Sequence, residues 1–124
     1  MYEIMIETGF SASHQVRGYP GDCAQPHGHN WKVQVYVRAD RTNSLGMVID
    51  FRRLKEITCE LTGQLDHKSL NNLPPFDKEN PTSENIAKWL YDNLKRKIDT
   101  EDYYLWAVEV FETETSRVYY TERE

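Results

Sequence analysis

The sequence predicts an α+β fold, ββααββ, in which a four-stranded antiparallel sheet carries two helices on one face. Three observations lead there. Apolar residues alternate with a period of two over the opening residues and again from residue 31. They switch to spacings of three and four through the middle of the chain, and strand-like runs return at its end.

In the first segment Tyr2, Ile4, Ile6, Thr8, Phe10, Ala12 and His14 share one parity, which in a strand means one face. Gln15 to Pro26 contains Gly18, Pro20, Gly21 and Pro26 and reads as loop. Trp31, Val33, Val35 and Val37 then face one way, with Lys32, Gln34 and Arg38 opposite, so the two runs pair as a long antiparallel hairpin.

The helical period follows. Phe51, Leu54, Ile57, Leu61 and Leu65 form an apolar stripe with Asp50 as N-cap. "NNLPPFDKENP" is a Pro/Asn-rich loop. "TSENIAKWLYDNLKRKI" opens a second helix capped by Thr82 or Ser83, with Ile86, Trp89, Leu90 and Leu94 as its stripe. Strands around Tyr104–Thr113 and Arg117–Thr121, joined by a short turn, close the chain. Tyr103, Tyr104, Trp106, Tyr119 and Tyr120 gather there. They fit either assembly beyond one chain or packing under the helices.

The 124 residues suffice for one domain, 1–124, with a core of its own. A hydrophobic fraction of 39% and well-mixed charges at 28% describe a globular chain. The net charge of −5 argues against a nucleic-acid partner, which favours a basic face. No apolar run approaches the ~20 residues that span a bilayer, so no membrane partner is expected. The start carries acids without a basic region, unlike a secretory signal, and two cysteines are too few for a disulfide scaffold. A reduced, cytoplasmic setting is the expectation.

The stretch "CAQPHGHNW" holds a thiol and two imidazoles. His27 and His29 continue the parity of Trp31 and Val33, and His14 ends the inward stripe of the first strand. Pairing of those strands brings three imidazoles to one end of the sheet. Three neutral histidines with an open fourth position is the ligand set of a catalytic zinc site. An HxH pair near a turn is more often merely solvated, and the third histidine at the right parity is what favours a metal. Cys23 is either a fourth ligand closing a structural site or a thiol activated beside a cation. Cys59 lies beside the stripe of the first helix and reads as a boundary residue. His67, after Asp66, is on local grounds a helix-ending residue; the functional alternative is an acid/base pair. Glu112 shares the parity of Val108 and Val110. Such a carboxylate has commonly reached the solvated rim, but partly buried it suits a bidentate N–H donor.

"FSASHQ", "CAQPHGHNW", "GMVIDFRRLK", "LDHKSLNN", "NPTSENIA" and "VEVFETETS", in this order over nearly the whole chain, resemble the 6-pyruvoyltetrahydropterin synthase superfamily. The CxxxHGH spacing is similar to that of its bacterial carboxytetrahydropterin-forming branch; Pro26 departs from the apolar residue often found before HGH. The resemblance implies the tunnelling fold, with subunit sheets joined into a barrel as a homohexamer of two trimers. It implies zinc on His14, His27 and His29, Cys23 as the proton-abstracting thiolate, and Asp66 with His67 as a relay from a neighbouring chain. Glu112 then holds the pterin ring and joins the relay. The implied substrate is 7,8-dihydroneopterin triphosphate, converted to 6-carboxy-5,6,7,8-tetrahydropterin with loss of acetaldehyde and triphosphate, a step towards queuosine. The alternatives are a pyruvoyl-forming synthase and, outside enzymes, a structural zinc module with Cys23 as fourth ligand. A cupin also uses HxH, but its nearby glutamate is missing and two helices do not suit it.

Overall fold

The structure, a computed structural model, describes residues 1–21 and 24–124. Strands β1 (Tyr2–His14) and β2 (His27–Ala39) pair antiparallel along their full length, from Tyr2 opposite Ala39 to His14 opposite His27. Burial alternates as the sequence does: Ile6, Phe10, Ala12, Trp31, Val33, Val35 and Val37 go under the helices. Gly9 lies where the two strands crowd. A Cβ there would sit 2.6 Å from the Trp31 carbonyl oxygen.

Helix α1 (Phe51–Leu65) starts at Asp50, whose carboxylate accepts from the Arg52 N–H at 2.8 Å. Helix α2 (Ser83–Ile98) starts at Thr82, whose hydroxyl oxygen accepts from the Asn85 N–H at 3.1 Å. Each cap satisfies a donor that the first helical turn leaves unpaired. Leu54, Ile57, Leu61 and Leu65 of α1 and Ile86, Leu90, Tyr91 and Leu94 of α2 pack on the sheet. Strand β4 (Tyr104–Thr113) pairs antiparallel with β2, and β5 (Ser116–Tyr120) pairs antiparallel with β4.

The structure corrects the expected sheet. It has five strands rather than four and is mixed rather than antiparallel, because β3 (Lys68–Ser69) joins β1 in parallel and gives the order β3-β1-β2-β4-β5. Two residues carry no readable period, so only the tertiary pairing defines β3. Phe51 is a second correction. It is 59% exposed and lines a surface cleft with Tyr2, Met47 and Val48 instead of the core. The Pro/Asn-rich segment is more than a loop: its first two residues complete a short 3₁₀ turn, Leu70–Asn72, and Phe76 is fully buried. Trp89 is half-buried and tilts against Phe76, the ring centroids 6.1 Å apart.

The aromatics near the end of the chain divide between the two sheet faces. Tyr120 packs edge-on against Tyr91 of α2, whereas Tyr119 meets Tyr36. The face without helices is a polar ladder. The Tyr36 hydroxyl donates to Glu109, which also pairs with Arg117 at 3.0 Å. Burial first, then the Glu109 carboxylate, push the Tyr36 hydroxyl above its ordinary pKa. No helix among the described residues is long and apolar enough to cross a membrane.

Because the Gly9 clash is with backbone, neighbours cannot relieve it by a rotamer change. Gly9→Ala is expected to destabilise the chain by about 1–3 kcal/mol. Urea denaturation would show a lower midpoint at unchanged slope.

Candidate metal centre and active site

The register of β1 and β2 does the assembling. His14 stands opposite His27 and Ala12 opposite His29, so all three imidazoles fall on one face at one end of the hairpin. Their rings lie edge to face, with centroids 4.5 to 5.3 Å apart. Trp31 stands edge-on to His14 and His29 behind them, its indole N–H donating to the Ala12 carbonyl at 3.2 Å. Glu112, near the end of β4, completes the group. One potential ligand atom from each of His14, His27, His29 and Glu112 lies within 4.8 Å of the others.

Two backbone carbonyls select the tautomers. His14 Nδ1 is 2.7 Å from the Pro81 carbonyl oxygen, and His27 Nδ1 is 2.8 Å from that of Gln25. A carbonyl only accepts, so each Nδ1 carries the proton and each Nε2 keeps its lone pair. The loop carrying Pro81 is itself fastened. Asn80 accepts from the Arg17 N–H and donates to the Arg17 carbonyl, both at 2.9 Å.

Glu112 Oε1 approaches His14 Nε2 to 3.0 Å and His29 Nε2 to 3.1 Å. Neither contact has hydrogen-bond geometry, and both buried Nε2 atoms are left without a partner. Buried lone pairs without a donor are costly unless a cation takes them. Three imidazoles and a carboxylate with converging electron pairs fit a divalent transition metal. Burial depresses the His29 pKa. Glu112 opposes this, and the other two imidazoles reinforce it.

Asp66 and His67 do not join this group; they are clasped to β1 instead. Asp66 Oδ1 accepts from the Ser11 N–H at 2.8 Å, and the His67 N–H donates to the Ser11 carbonyl at 2.5 Å. His67 takes the left-handed conformation, φ 58°, which costs a non-glycine residue of the order of 1 kcal/mol. The clasp offsets that cost and turns the ring outward, 81% exposed, with Nδ1 3.0 Å from Asp66 Oδ2. The Ser11 N–H above all holds the Asp66 carboxyl below its ordinary pKa. The helix-ending reading is thus only half the matter. Asp66 caps α1 through its N–H to Thr62, while its side chain and His67 serve the strand. His29 and His67 line a common cavity of about 510 Å³. Cys23 lies outside the described residues. The contact of Glu112 with the histidines was not foreseen; its parity was readable, its distance was not.

A ββααββ chain whose added β3 completes a mixed sheet, with imidazoles gathered at one end of the hairpin, has the tunnelling fold. The solved structure of Caenorhabditis elegans 6-pyruvoyl tetrahydropterin synthase superposes on it with a TM-score of 0.84 at 26% identity, covering 99% of this chain and 98% of that one. The chain belongs to the 6-pyruvoyl tetrahydropterin synthase family, whose model matches residues 3–123. It is 38% identical to a 6-carboxy-5,6,7,8-tetrahydropterin synthase of Synechocystis over 97% of this chain and 93% of the relative. It is also 38% identical to the 6-pyruvoyl tetrahydrobiopterin synthase of Homo sapiens, over 81% of this chain and 70% of the relative.

The ligand geometry makes metal affinity measurable apart from turnover. A divalent transition metal added to metal-free protein is expected to bind and to raise the melting temperature. His14→Ala should weaken binding by more than the roughly 100-fold that outer partners reach. The sign of the pH effect follows from His29. Its folded-state pKa lies below 6.5, so protonation favours the unfolded chain. The stability contributed by neutral His29 is complete above about pH 6.5 and is lost as pH falls towards the folded-state value. Metal-free protein should therefore show a falling urea midpoint from about pH 7.5 to about pH 5.5, and His29→Gln should flatten that fall.

Proposed function

We propose that this chain converts 7,8-dihydroneopterin triphosphate and one water to 6-carboxy-5,6,7,8-tetrahydropterin, releasing acetaldehyde and triphosphate. The reading rests above all on similarity to the carboxy-forming relative over almost the entire length of both chains. The CxxxHGH spacing supports it further. The pathway we infer is that of queuosine and related 7-deazapurines, in the cytoplasm.

His14, His27 and His29 would hold zinc through Nε2. Bound there, the metal would act as a Lewis acid towards the hydroxyls of the substrate side chain. The protein's own groups do the rest. Cys23, as thiolate, takes a proton from the substrate. Asp66 stays ionised and keeps a proton on His67 Nδ1, leaving the exposed outer nitrogen of that ring to exchange protons. Glu112 approaches the imidazoles through Oε1, and its second carboxylate oxygen would accept an N–H of the pterin ring.

The exposed His67 suits a relay that serves a neighbouring chain, in a homohexamer of two trimers with active sites between subunits. Two features favour this. Among the described residues, β3 covers β1 only at Ala12 and Ser13, leaving the rest of that edge open. Beside it Tyr2, Met5 and Phe51 are exposed. The human relative, equally identical over a shorter stretch, favours a second reading in which triphosphate is eliminated and the side-chain carbons stay.

The expected result with metal-loaded protein and dihydroneopterin triphosphate is stoichiometric acetaldehyde. A pyruvoyl product without acetaldehyde would establish the second reading. Cys23→Ala is expected to keep its metal and lose turnover, whereas His27→Ala loses both. Release of the metal from Cys23→Ala would instead mark a structural metal module.

A further inference from the structure

We propose that Asn71 and Asn80 are positioning residues of the metal centre, their side-chain amides standing in for a strand that β1 lacks beyond Ser13. This rests on the reading of His14, His27, His29 and Glu112 as the metal-binding group, and it adds residues from outside that ligand set.

One edge of β1 is covered residue by residue. Alternate residues of a strand present their N–H and C=O groups to the same edge. Ser11 is held there by Asp66 and His67, and Ser13 pairs with Ser69 of β3. Strand β3 stops at Ser69, and the pairing with β2 stops at His14. The same parity then continues without a strand. Asn71 Oδ1 accepts from the Gln15 N–H at 2.8 Å, and its Nδ2 donates to the Gln15 carbonyl at 2.9 Å. Asn80 repeats this on Arg17, two residues further on. A carboxamide carries an acceptor and a donor, as a peptide does. Each asparagine therefore makes both bonds that a facing strand residue would make. The buried His14 stands directly before the residues so clamped.

Asn80 also aims the acceptor. Its carbonyl accepts from the Thr82 N–H at 2.9 Å and from the Asn85 amide at 2.8 Å, which closes a tight turn about Pro81. The N–H and C=O of a trans peptide point in opposite directions. With the Thr82 N–H turned to Asn80, the Pro81 carbonyl is sent the other way, onto His14 Nδ1 at 2.7 Å. The Arg17 guanidinium ties the same segments together, donating to the Phe76 and Glu79 carbonyls at 2.9 and 2.8 Å. Asn71 and Asn80 thus hold the chain that leaves His14, and Asn80 turns the carbonyl that keeps the proton on Nδ1. Without them His14 is free to carry that proton on Nε2, the atom a metal needs bare.

The test uses the full chain and needs no turnover. In metal-free protein at about pH 8, where an imidazole is ordinarily neutral, proton–nitrogen correlation spectra of the histidine rings read the tautomer. Wild-type His14 is expected as Nδ1–H alone, and Asn80→Ala and Asn71→Ala with a substantial share of Nε2–H. Titration with cobalt(II) should show binding weakened by about 10- to 100-fold in both variants. Asn80→Asp keeps the acceptor and loses the donor; it carries the same expectation should Asn80→Ala not fold. Arg123→Ala controls for lost stability. It removes the ion pair with Asp99 and the bond to the Leu105 carbonyl, at the end of the sheet away from the histidines. It should lower the melting temperature and leave the His14 tautomer and cobalt affinity as in wild type. Wild-type tautomer and affinity in the asparagine variants overturn the proposal. So does an equal loss of cobalt affinity in Arg123→Ala at a matched fall in melting temperature, which would reduce the clamps to general stability. A tautomer that depends on Asn80 in a protein that takes up no cobalt defeats the metal reading and leaves the clamps standing.

Discussion

The register between β1 and β2 is the constraint on which the rest depends. Side chains alternate strictly across a sheet, so a slip of one residue would send the apolar stripe to solvent and scatter the imidazoles between two faces. The buried ladder from Ile6 and Val35 to Phe10 and Trp31 makes that slip costly. Hydrophobic burial therefore fixes the histidines, which contribute little to it themselves. The same register aligns β2 for β4, whose far end delivers Glu112 to the imidazoles. Chemistry at the end of the sheet is set by packing in its middle.

The site is arranged around electron pairs that the protein leaves unused. Main-chain carbonyls hold the protons of His14 and His27 on Nδ1, and the Nε2 atoms of His14 and His29 converge on the Glu112 carboxylate without bonding to it. Burial keeps His29 neutral at a pH where a solvated imidazole would begin to charge. Such a cluster is unfavourable as bare protein and favourable around a cation. Next to it, Asp66 and His67 are held by a different device, a backbone clasp on Ser11 that supports a left-handed residue. Folding energy at this end of the sheet goes into placing titratable side chains.

Much of this was legible in the sequence, for identifiable reasons. Alternation is a local signal, so both long strands and the meeting of His14, His27 and His29 could be read from parity. Caps are local too, and Asp50 and Thr82 bond as their positions suggest. What escaped depends on distant partners. Lys68 and Ser69 are a strand only because β1 lies alongside, and Phe76 is buried although its neighbours are prolines and polar residues. Phe51 keeps the helical period but lies out of the core, at the first turn of α1. Glu112 was placed on the correct face, but its distance from the imidazoles follows from a β2–β4 ladder that shifts register near Tyr36. Asp66 and His67 were read from resemblance; their clasp on Ser11 joins positions 55 and 56 residues apart, beyond any local pattern.

The carbonyls of Pro81 and Gln25 have a consequence for how this centre can vary over evolutionary time. A tautomer set by another side chain can be lost through one nucleotide change. Here the acceptors belong to the main chain, and every amino acid supplies the same oxygen. Residues 81 and 25 are therefore free to drift in identity while the two imidazoles stay poised, provided the path of each loop survives. The vulnerable points move to whatever holds those paths, such as the paired amide of Asn80 on Arg17. Heritable damage to the centre would arise there, at residues that never touch a ligand.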